Sequence, residues 1–283
     1  MLFVSTGGIR NKTAQETSID FYENGISCIE LSGGSFSETY REDLIKLSTK
    51  INFQVHNYFP PPEKAFVFNL ASTDPKLRER SINHVINSMN LALDLSRPVY
   101  SFHAGFRINP KVSELGKAIK KTTLCNRDIA LEIFGESVLF LAEEARQKGV
   151  DLLIENNVLN KRNLETFGED PLLLTNPKEI SLFFQNIPSS IGLLMDVAHL
   201  KVSSNSLNFD KKDAINELKQ YIKGYHLSDN DGKTDSNELI TSDSWFWNII
   251  DNHLDYYSIE VYNTSSQKLV EQFKLVNKLL YNN

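Results

Sequence analysis

The strongest constraint in this sequence is an alternation that repeats eight times: a short apolar, β-rich run is followed by a longer stretch of helical character. Several of the runs, such as VYSF, DLLI and IGLLM, are apolar almost without interruption. Runs of this kind are typical of parallel strands that are buried on both faces. We therefore predict strands at residues 2–5, 28–31, 52–56, 99–103, 151–155, 192–196, 223–226 and 257–261.

The stretches between the strands carry signals of helix ends. Thr13 and Glu16 have the spacing of a capping box, and Gly25 stands where that helix should end. Asp74 followed by Pro75 is typical of an N-cap and the first helical residue. After this cap, apolar residues recur every three or four positions and predict the buried face of the helix: Ile82, Val85, Ile86, Met89 and Leu93.

Eight strand–helix units followed by a closing helix favour one fold class, a (β/α)8 TIM barrel. We expect a single domain over residues 1–283, which is a common length for such barrels. The competing fold is a doubly wound open sheet, which usually has fewer strands. No glycine-rich fingerprint of such a sheet follows the first strand, where only Gly7 and Gly8 stand together.

Composition narrows the functional classes. The net charge of −6 argues against a nucleic-acid partner, because nucleic-acid-binding domains are usually basic. No apolar run approaches the roughly 18 residues of a membrane helix, and the first residues lack the basic flank of a signal peptide. Cys28 and Cys125 are too few for a disulfide scaffold. We therefore expect a cytoplasmic protein with no nucleic-acid or membrane partner.

Ionisable residues stand at the C-terminal ends of seven of the eight predicted strands. They are Glu30, His56, His103, Glu155, Asp196, His226 and Glu260, and His199 follows Asp196 by three residues. An apolar strand should not end in an ionisable group by default, because such a group is costly to bury unpaired. In a TIM barrel these strand ends line the active site, so we expect the side chains to meet in one mouth.

The last four strands supply Glu155, Asp196, His226 and Glu260. Carboxylate and imidazole ligands suit a hard or borderline divalent cation such as Mn, Co, Zn or Mg. Three carboxylates in one cleft also repel each other unless a cation lies among them. We therefore predict one divalent metal ion as cofactor, bound by these four residues.

Longer motifs carry the same residues in a recognisable order: FNLASTDPKLRERSINHV, VYSFHAG, LLIENN, MDVAH, GYHLSDNDGK and SIEVY. In this order and strand placement, the chain resembles the xylose isomerase-like TIM-barrel superfamily over essentially its whole length. That superfamily includes sugar phosphate isomerases and epimerases and the endonuclease IV nucleases. The resemblance implies that Glu155, Asp196, His226 and Glu260 are metal ligands.

Three histidines also have counterparts in that superfamily. The resemblance implies that His199, in the Asp-x-x-His motif, contacts substrate or, in the nucleases, a metal. His56 and His103 match histidines that bind further zinc ions in the nucleases and line the substrate cleft in the sugar enzymes. One nuclease ligand is missing, because the Asp-x-His zinc pair is Asp235-Ser-Asn237 here. A three-zinc site is therefore not expected.

The favoured function is a metal-dependent isomerase or epimerase that acts on a sugar or sugar phosphate by proton transfer next to a carbonyl, through an enediolate. Glu155 and Glu260 come from strands five and eight, so they could serve as bases on opposite faces of one carbon. Arg107 and Lys233 lie in loops on the same face, where they either hold a substrate phosphate or carboxylate or are simply solvated. The alternatives are a zinc-dependent AP endonuclease similar to endonuclease IV and a sugar-acid or inosose-type dehydratase. A homo-oligomer is compatible with all three.

Overall fold

The computed structural model describes residues 1–110, 112 and 120–281. Within them, eight parallel strands pair in chain order and close into a barrel. The strands are β1 (Leu2–Ser5), β2 (Cys28–Leu31), β3 (Asn52–His56), β4 (Val99–His103), β5 (Asp151–Glu155), β6 (Gly192–Asp196), β7 (Ile222–Leu227) and β8 (Tyr257–Ile259). This is the TIM barrel predicted from the alternation, in which every parallel pair needs a crossover between its strands.

Six strands have the predicted limits, and the other two differ at their ends. β7 extends one residue further in each direction, and β8 ends at Ile259 rather than at residue 261. The reason lies in the backbone hydrogen bonds that follow β8. The amide of Glu260 still donates to Leu227 O at 3.0 Å, but the amide of Tyr262 donates to Asn237 O, in the loop after β7, at 2.9 Å. Glu260 therefore lies just beyond its strand, at the mouth of the barrel.

Helices connect the strands and surround the barrel. They are α1 (Ala14–Glu23), α2 (Tyr40–Leu47), α3 (Pro75–Asp94), α4 (Arg127–Lys148), α5 (Lys161–Phe167), α6 (Pro177–Gln185), α7 (Val197–Leu207), α8 (Lys211–Leu218) and α9 (Ser266–Tyr281). The predicted caps are present: Thr13 Oγ1 accepts from the Glu16 amide at 3.2 Å, and Asp74 caps α3. Among the described residues, no helix is both long enough and apolar enough to cross a membrane.

The buried face of α3 differs from the predicted one near its C-terminal end. Val85 and Met89 are fully buried, as expected, whereas Leu93 is 38% exposed. Small residues share the most deeply buried face with larger ones: Ser81, Ser88 and Ala92 are as fully buried as Val85 and Met89. Small side chains let a helix approach its neighbours closely, so the buried face passes to one side of Leu93.

Side chains along each strand alternate between two interiors. Between strands and helices lies the main apolar core, here called the outer core, which receives Leu152 and Ile154 from β5. Inside the barrel lies a small apolar cluster, here called the inner cluster, made of Phe3, Leu153, Leu194 and Tyr256. Because successive strand residues point to opposite faces, Glu155 points to the inside like Leu153. The inner face of the wall therefore carries the residues of the candidate site.

Candidate metal centre

The ionisable strand ends meet at the mouth of the barrel, with Glu155 at their centre. Glu155 Oε2 lies 3.2 Å from His56 Nε2 and 3.5 Å from His103 Nδ1. Its other oxygen, Oε1, lies 3.4 Å from His199 Nδ1 and 3.4 Å from His226 Nδ1. Side chains from strands that are far apart in the sequence thus surround one buried carboxylate.

Four residues of this cluster form a set that could hold one cation. One ligand atom from each of Glu155, Asp196, His226 and Glu260 lies within 4.8 Å of the others. The first three residues are fully buried and Glu260 is 6% exposed. We call these four residues the cation set. Three carboxylates and one imidazole are ligands that suit Mn, Co, Zn or Mg.

Several atoms of the cation set are buried without a hydrogen-bond partner in the described part of the chain. They are both carboxylate oxygens of Glu155, Oδ2 of Asp196 and Nδ1 of His226. A buried polar atom without a partner costs roughly 1–3 kcal/mol, and more when it is charged. A divalent cation could be the shared partner of one atom from each of these residues, so they fit one.

Asp196 has a second task at the start of α7. Its Oδ1 caps the helix by accepting from the amide of His199 at 2.7 Å, which leaves Oδ2 to the cation set. Asn156 holds the same residue through its backbone: the Asp196 amide donates to Asn156 Oδ1 at 2.8 Å, and Asn156 Nδ2 donates to Asp196 O at 3.2 Å. The turn from β6 into α7 thus presents one carboxylate oxygen to the cluster in a fixed direction.

A network of buried polar side chains lies beneath the cluster of strand-end residues. Glu30 Oε2 lies 3.0 Å from His226 Nε2 and accepts from Tyr256 Oη at 2.5 Å. Tyr256 Oη is also 3.1 Å from Ser101 Oγ, which lies 2.9 Å from His56 Nδ1. Two of the clustered imidazoles are therefore connected, on the side away from Glu155, through buried hydroxyl groups and one carboxylate.

His56 and His103 form a second group with Glu155, and their ligand atoms also lie within 4.8 Å of one another. His199 is oriented by Asn156, because its Nδ1 lies 2.9 Å from the Asn156 carbonyl oxygen, which can only accept. Its Nε2 lies 3.2 Å from Asp235 Oδ2. All three histidines predicted to contact substrate are thus present in the cluster.

Burial and neighbouring charges move the pKa values of the cluster in different directions. Burial raises the pKa of Asp196 to about 7, against the attraction of His199. Burial also acts to raise the pKa of Glu260, but the positive charge of His226 outweighs it and holds that pKa at about 2. Burial lowers the pKa of His103 to about 4. Glu260 therefore stays ionised beside a carboxyl group that takes up a proton more readily.

The two cations predicted to contact substrate are placed differently. Arg107 is buried in the loop after β4, where it donates to Cys125 O at 2.9 Å, to Glu169 Oε2 at 2.7 Å and to Asp170 O at 2.7 Å. It joins the loops after β4 and β5, because a buried guanidinium needs acceptors and these loops supply them, and its contact with a substrate stays a prediction. Lys233 is exposed in the loop after β7, and its contact with a substrate stays a prediction.

The sequence does not reveal the residues that orient the cation set. Glu30 is visible as a strand-end carboxylate, but nothing in the sequence distinguishes it from a further ligand. Tyr256 has a weak signal, since Tyr256, Ser258 and Glu260 alternate and should share the inner face of the barrel. Asn156 is adjacent to a strand end, but its hydrogen bonds to the next strand appear only in the fold.

The chain belongs to the xylose isomerase-like TIM barrel family. The family model matches residues 20–259. This range contains three of the four residues of the cation set and ends just before Glu260. It also contains His56, His103 and His199, so almost the whole site lies within the part of the chain that defines the family.

Two curated relatives are named Probable endonuclease 4. The protein from Persephonella marina is 38% identical over 86 residues, which are 30% of this chain and 29% of that protein. The protein from a Sulfurihydrogenibium species is 24% identical over 219 residues, which are 77% of this chain and 67% of that protein. This chain thus spans less than a third of the first relative and about two thirds of the second.

Solved structures of similar fold include sugar epimerases. A D-tagatose 3-epimerase-like protein aligns with a TM-score of 0.74 at 16% identity, over 99% of this chain and 96% of the other. An L-ribulose 3-epimerase aligns with a TM-score of 0.70 at 14% identity, over 100% of this chain and 95% of the other. At such low identity this likeness establishes the fold, and function has to be argued from the site.

Proposed function

We propose that this protein is a divalent-cation-dependent isomerase or epimerase that acts on a sugar or sugar phosphate by moving a proton next to a carbonyl group. The observation that carries the proposal is the cation set, whose buried, partnerless atoms converge at the mouth of the barrel. The epimerase names of the structural neighbours support it. A cation held there would polarise the carbonyl and hydroxyl oxygens of a substrate and make the adjacent C–H bond more acidic.

Glu155 and Glu260 are the proposed proton acceptor and donor. They come from β5 and from the end of β8, so they approach a substrate carbon from different sides of the mouth. Either glutamate could take or return the proton, and Glu260 is ionised, as a base must be, although its low pKa makes it a weak one. Its Oε1 is held by Ser5 Oγ at 3.3 Å and Tyr262 Oη at 3.2 Å, both of which donate to it.

His56, His103 and His199 are proposed to orient the substrate. Burial lowers the pKa values of His56 and His103, and a neutral imidazole can donate through one nitrogen and accept through the other, which suits hydroxyl groups of a sugar. The carboxylates of Asp196 and Asp235 outweigh burial and raise the pKa of His199, so this imidazole would act as a donor. Lys233, exposed in the loop after β7, is the proposed contact for a phosphate group if the substrate carries one.

The test is a panel of ketoses, aldoses and their phosphates, each incubated with the protein and Mn²⁺ in D₂O. We expect NMR to show exchange of the hydrogen next to the carbonyl in one class of substrate. Asp196→Ala should lose both hydrogen exchange and bound metal, the latter measured by elemental analysis. The control is Asp213→Ala, at an exposed position on α8, which should retain both. Equal metal content and equal exchange in wild type and Asp196→Ala would contradict the proposal.

A second candidate function is cleavage of abasic DNA by a zinc-dependent endonuclease. It is favoured by the names of the two curated relatives and by the second ligand group around His56 and His103. Two features weigh against it. Asn237 replaces a nuclease zinc ligand, and the net charge of −6 is unsuited to a phosphate backbone, whose binding depends on Lys and Arg.

An abasic duplex oligonucleotide incubated with the protein and Zn²⁺ decides between the two functions. We expect wild type to cleave it no faster than Asp196→Ala does. Cleavage that requires both the metal and Asp196 would reverse the ranking.

A further inference from the structure

Glu30 is a strand-end carboxylate that lies outside the cation set, fully buried behind His226. Burying a carboxylate this deeply lowers the stability of the fold unless the carboxylate is paired, so Glu30 is expected to have a specific role. We propose that Glu30 is a positioning residue: it determines which nitrogen of His226 carries the proton, and therefore which nitrogen is left to bind the cation. This inference rests on the proposed function, since it assumes that the cation set holds a metal.

The hydrogen bonds around Glu30 have a definite direction. An ionised carboxylate can only accept, and Tyr256 donates to its Oε2 at 2.5 Å. The contact of 3.0 Å between the same oxygen and His226 Nε2 is therefore a hydrogen bond only if Nε2 carries a hydrogen. A neutral imidazole has a single N–H group, so Nδ1 is then unprotonated.

The unprotonated nitrogen lies where a ligand is needed. His226 Nδ1 is buried without a hydrogen-bond partner, 3.4 Å from Glu155 Oε1 and 3.5 Å from Glu260 Oε2. With the opposite tautomer, Nε2 would turn a lone pair towards the Glu30 carboxylate, and a proton would occupy the side facing the cation set. Glu30 disfavours that tautomer directly, and its negative charge makes His226 a better ligand.

The direction in which Glu30 points is fixed by Tyr256. The tyrosine ring lies in the inner cluster, in edge-to-face contact with Phe3 at 5.9 Å between ring centroids. Its hydroxyl reaches from this apolar layer to Glu30 Oε2. The lower part of the barrel thus supports the carboxylate that orients the ligand above it.

Two substitutions separate the charge of Glu30 from its hydrogen bond. Glu30→Gln keeps an acceptor oxygen and loses the charge, whereas Glu30→Met keeps the length of the side chain and loses both. We expect the affinity for Zn²⁺, measured by competition with a chelator, to fall about 10-fold in Glu30→Gln and about 100-fold in Glu30→Met, within the usual range for partners of metal-bound histidines.

Gln54→Met is the matched control. Gln54 pairs with Glu30 in register on β3 and is also fully buried, but its side chain donates to Val99 O at 2.9 Å and accepts from Arg97 at 3.2 Å. Gln54→Met therefore measures how much a thioether inside the barrel lowers the free energy of unfolding when Glu30 and the cation set are unchanged. We expect Gln54→Met to lower stability and leave the affinity for Zn²⁺ unchanged.

NMR of ¹⁵N-labelled histidine side chains in the Zn²⁺-loaded protein gives a second readout, which a purely structural role would not move. We expect His226 to be coordinated through Nδ1 and protonated at Nε2. The Nε2 proton should be strongly deshielded in wild type, and should lose that shift in Glu30→Met while keeping it in Gln54→Met.

The outcomes separate this inference from the proposed function. A wild type that binds no divalent cation would overturn both. A wild type that binds Zn²⁺ no more tightly than Glu30→Gln does, or that coordinates it through His226 Nε2, would overturn the inference alone. The Glu30→Gln variant and the wild-type spectrum decide the question even if Glu30→Met does not fold.

Discussion

Ile154 and Glu155 are neighbours in the chain and lie on opposite sides of the barrel wall. Ile154 is fully buried in the outer core, where apolar side chains satisfy it by packing alone. Glu155 is equally buried, but its oxygens face four imidazoles and have no hydrogen-bond partner among the described residues. On the outer face of the wall, packing satisfies the apolar side chains. On the inner face at the mouth, the buried oxygens of Glu155 still need a binding partner.

The same difference separates the two levels of the barrel interior. The inner cluster of Phe3, Leu153, Leu194 and Tyr256 follows the ordinary rule that apolar groups fill an interior. The level above it breaks that rule with carboxylates and imidazoles. Departures of this kind are expected where a protein binds or reacts, because burying ionisable groups costs stability.

The largest effect is expected on the outer face. Ile154→Ala removes apolar contacts from a fully buried site, so the free energy of unfolding should fall by about 4 kcal/mol, within the range for such truncations. Chemical denaturation measures this change, and elemental analysis of the folded variant should show the same bound metal as wild type. Loss of the metal without loss of stability would show that the two sides of the wall are not independent.

The next effect is expected one residue further along the chain. Glu155→Gln removes a proposed base and ligand, so the rate of substrate hydrogen exchange should fall by roughly 100-fold or more. Its effect on stability should be smaller than that of Ile154→Ala. Glu165→Gln, at an exposed position on α5, is the control and should exchange substrate hydrogen at the wild-type rate. A Glu155→Gln variant that retains wild-type exchange would contradict its assignment as a base.

A third test compares two buried histidines. Burial lowers the pKa of His84 on α3 to about 4, because its ring packs against Tyr58 and Phe68 and has no acidic partner among the described residues. For His226, carboxylates such as Glu30 outweigh burial and raise the pKa. The unfolded chain therefore binds a proton below about pH 6.5 that folded His84 does not take up until about pH 4. Stability that is complete above pH 6.5 should be lost as the pH falls, by about 2 kcal/mol at pH 5.

His84→Phe isolates this contribution. We expect the loss of unfolding free energy between pH 7 and pH 5, measured in urea, to be smaller in the variant than in wild type by about 2 kcal/mol. The other histidines are unchanged in this pair, so the difference belongs to His84. Identical pH profiles would show that the imidazole is protonated in the folded protein.

The smallest effect is expected outside the barrel wall, at the N-terminal end of α1. Thr13→Ala removes the side-chain half of the capping box of α1, because Thr13 Oγ1 no longer accepts from the Glu16 amide, while the Thr13 amide can still donate to Glu16 Oε2, as it does at 2.7 Å. The unfolding free energy should fall by about 1 kcal/mol, with no change in metal content. Thr13→Ser keeps the capping oxygen and should restore most of the loss.

The fold could be predicted from the sequence because a buried parallel strand leaves a continuous apolar run, and six of the eight strands have the predicted limits. The convergence of the strand ends follows from the same reasoning, since the architecture brings the ends of all the strands to one mouth. What distinguishes a residue of the cation set from the residue behind it does not follow. Glu30 and Glu155 look alike in the sequence, and only their distances to the two nitrogens of His226 separate their tasks.

Arg107 shows a second limit. Its position after β4 predicts a place in a loop at the mouth, but not that acceptors in the loop after β5 hold its guanidinium. Contacts between two loops depend on the backbone path of each loop, which no local sequence pattern predicts. Leu93 differs for a similar reason: its periodicity is correct, but the neighbours of α3 decide which side of the helix is covered.

The shared carboxylate of Asp196 has a consequence for the evolution of the family. One oxygen serves α7, so selection for a folded protein favours a capping side chain at this position even in a lineage that has abandoned the reaction. Glu155 has no comparable anchor, since its oxygens lack hydrogen-bond partners within the described chain. In a relative of unknown activity, an aspartate matching Asp196 is therefore weak evidence that catalysis survives. A glutamate matching Glu155 is stronger evidence, because little besides function would preserve it.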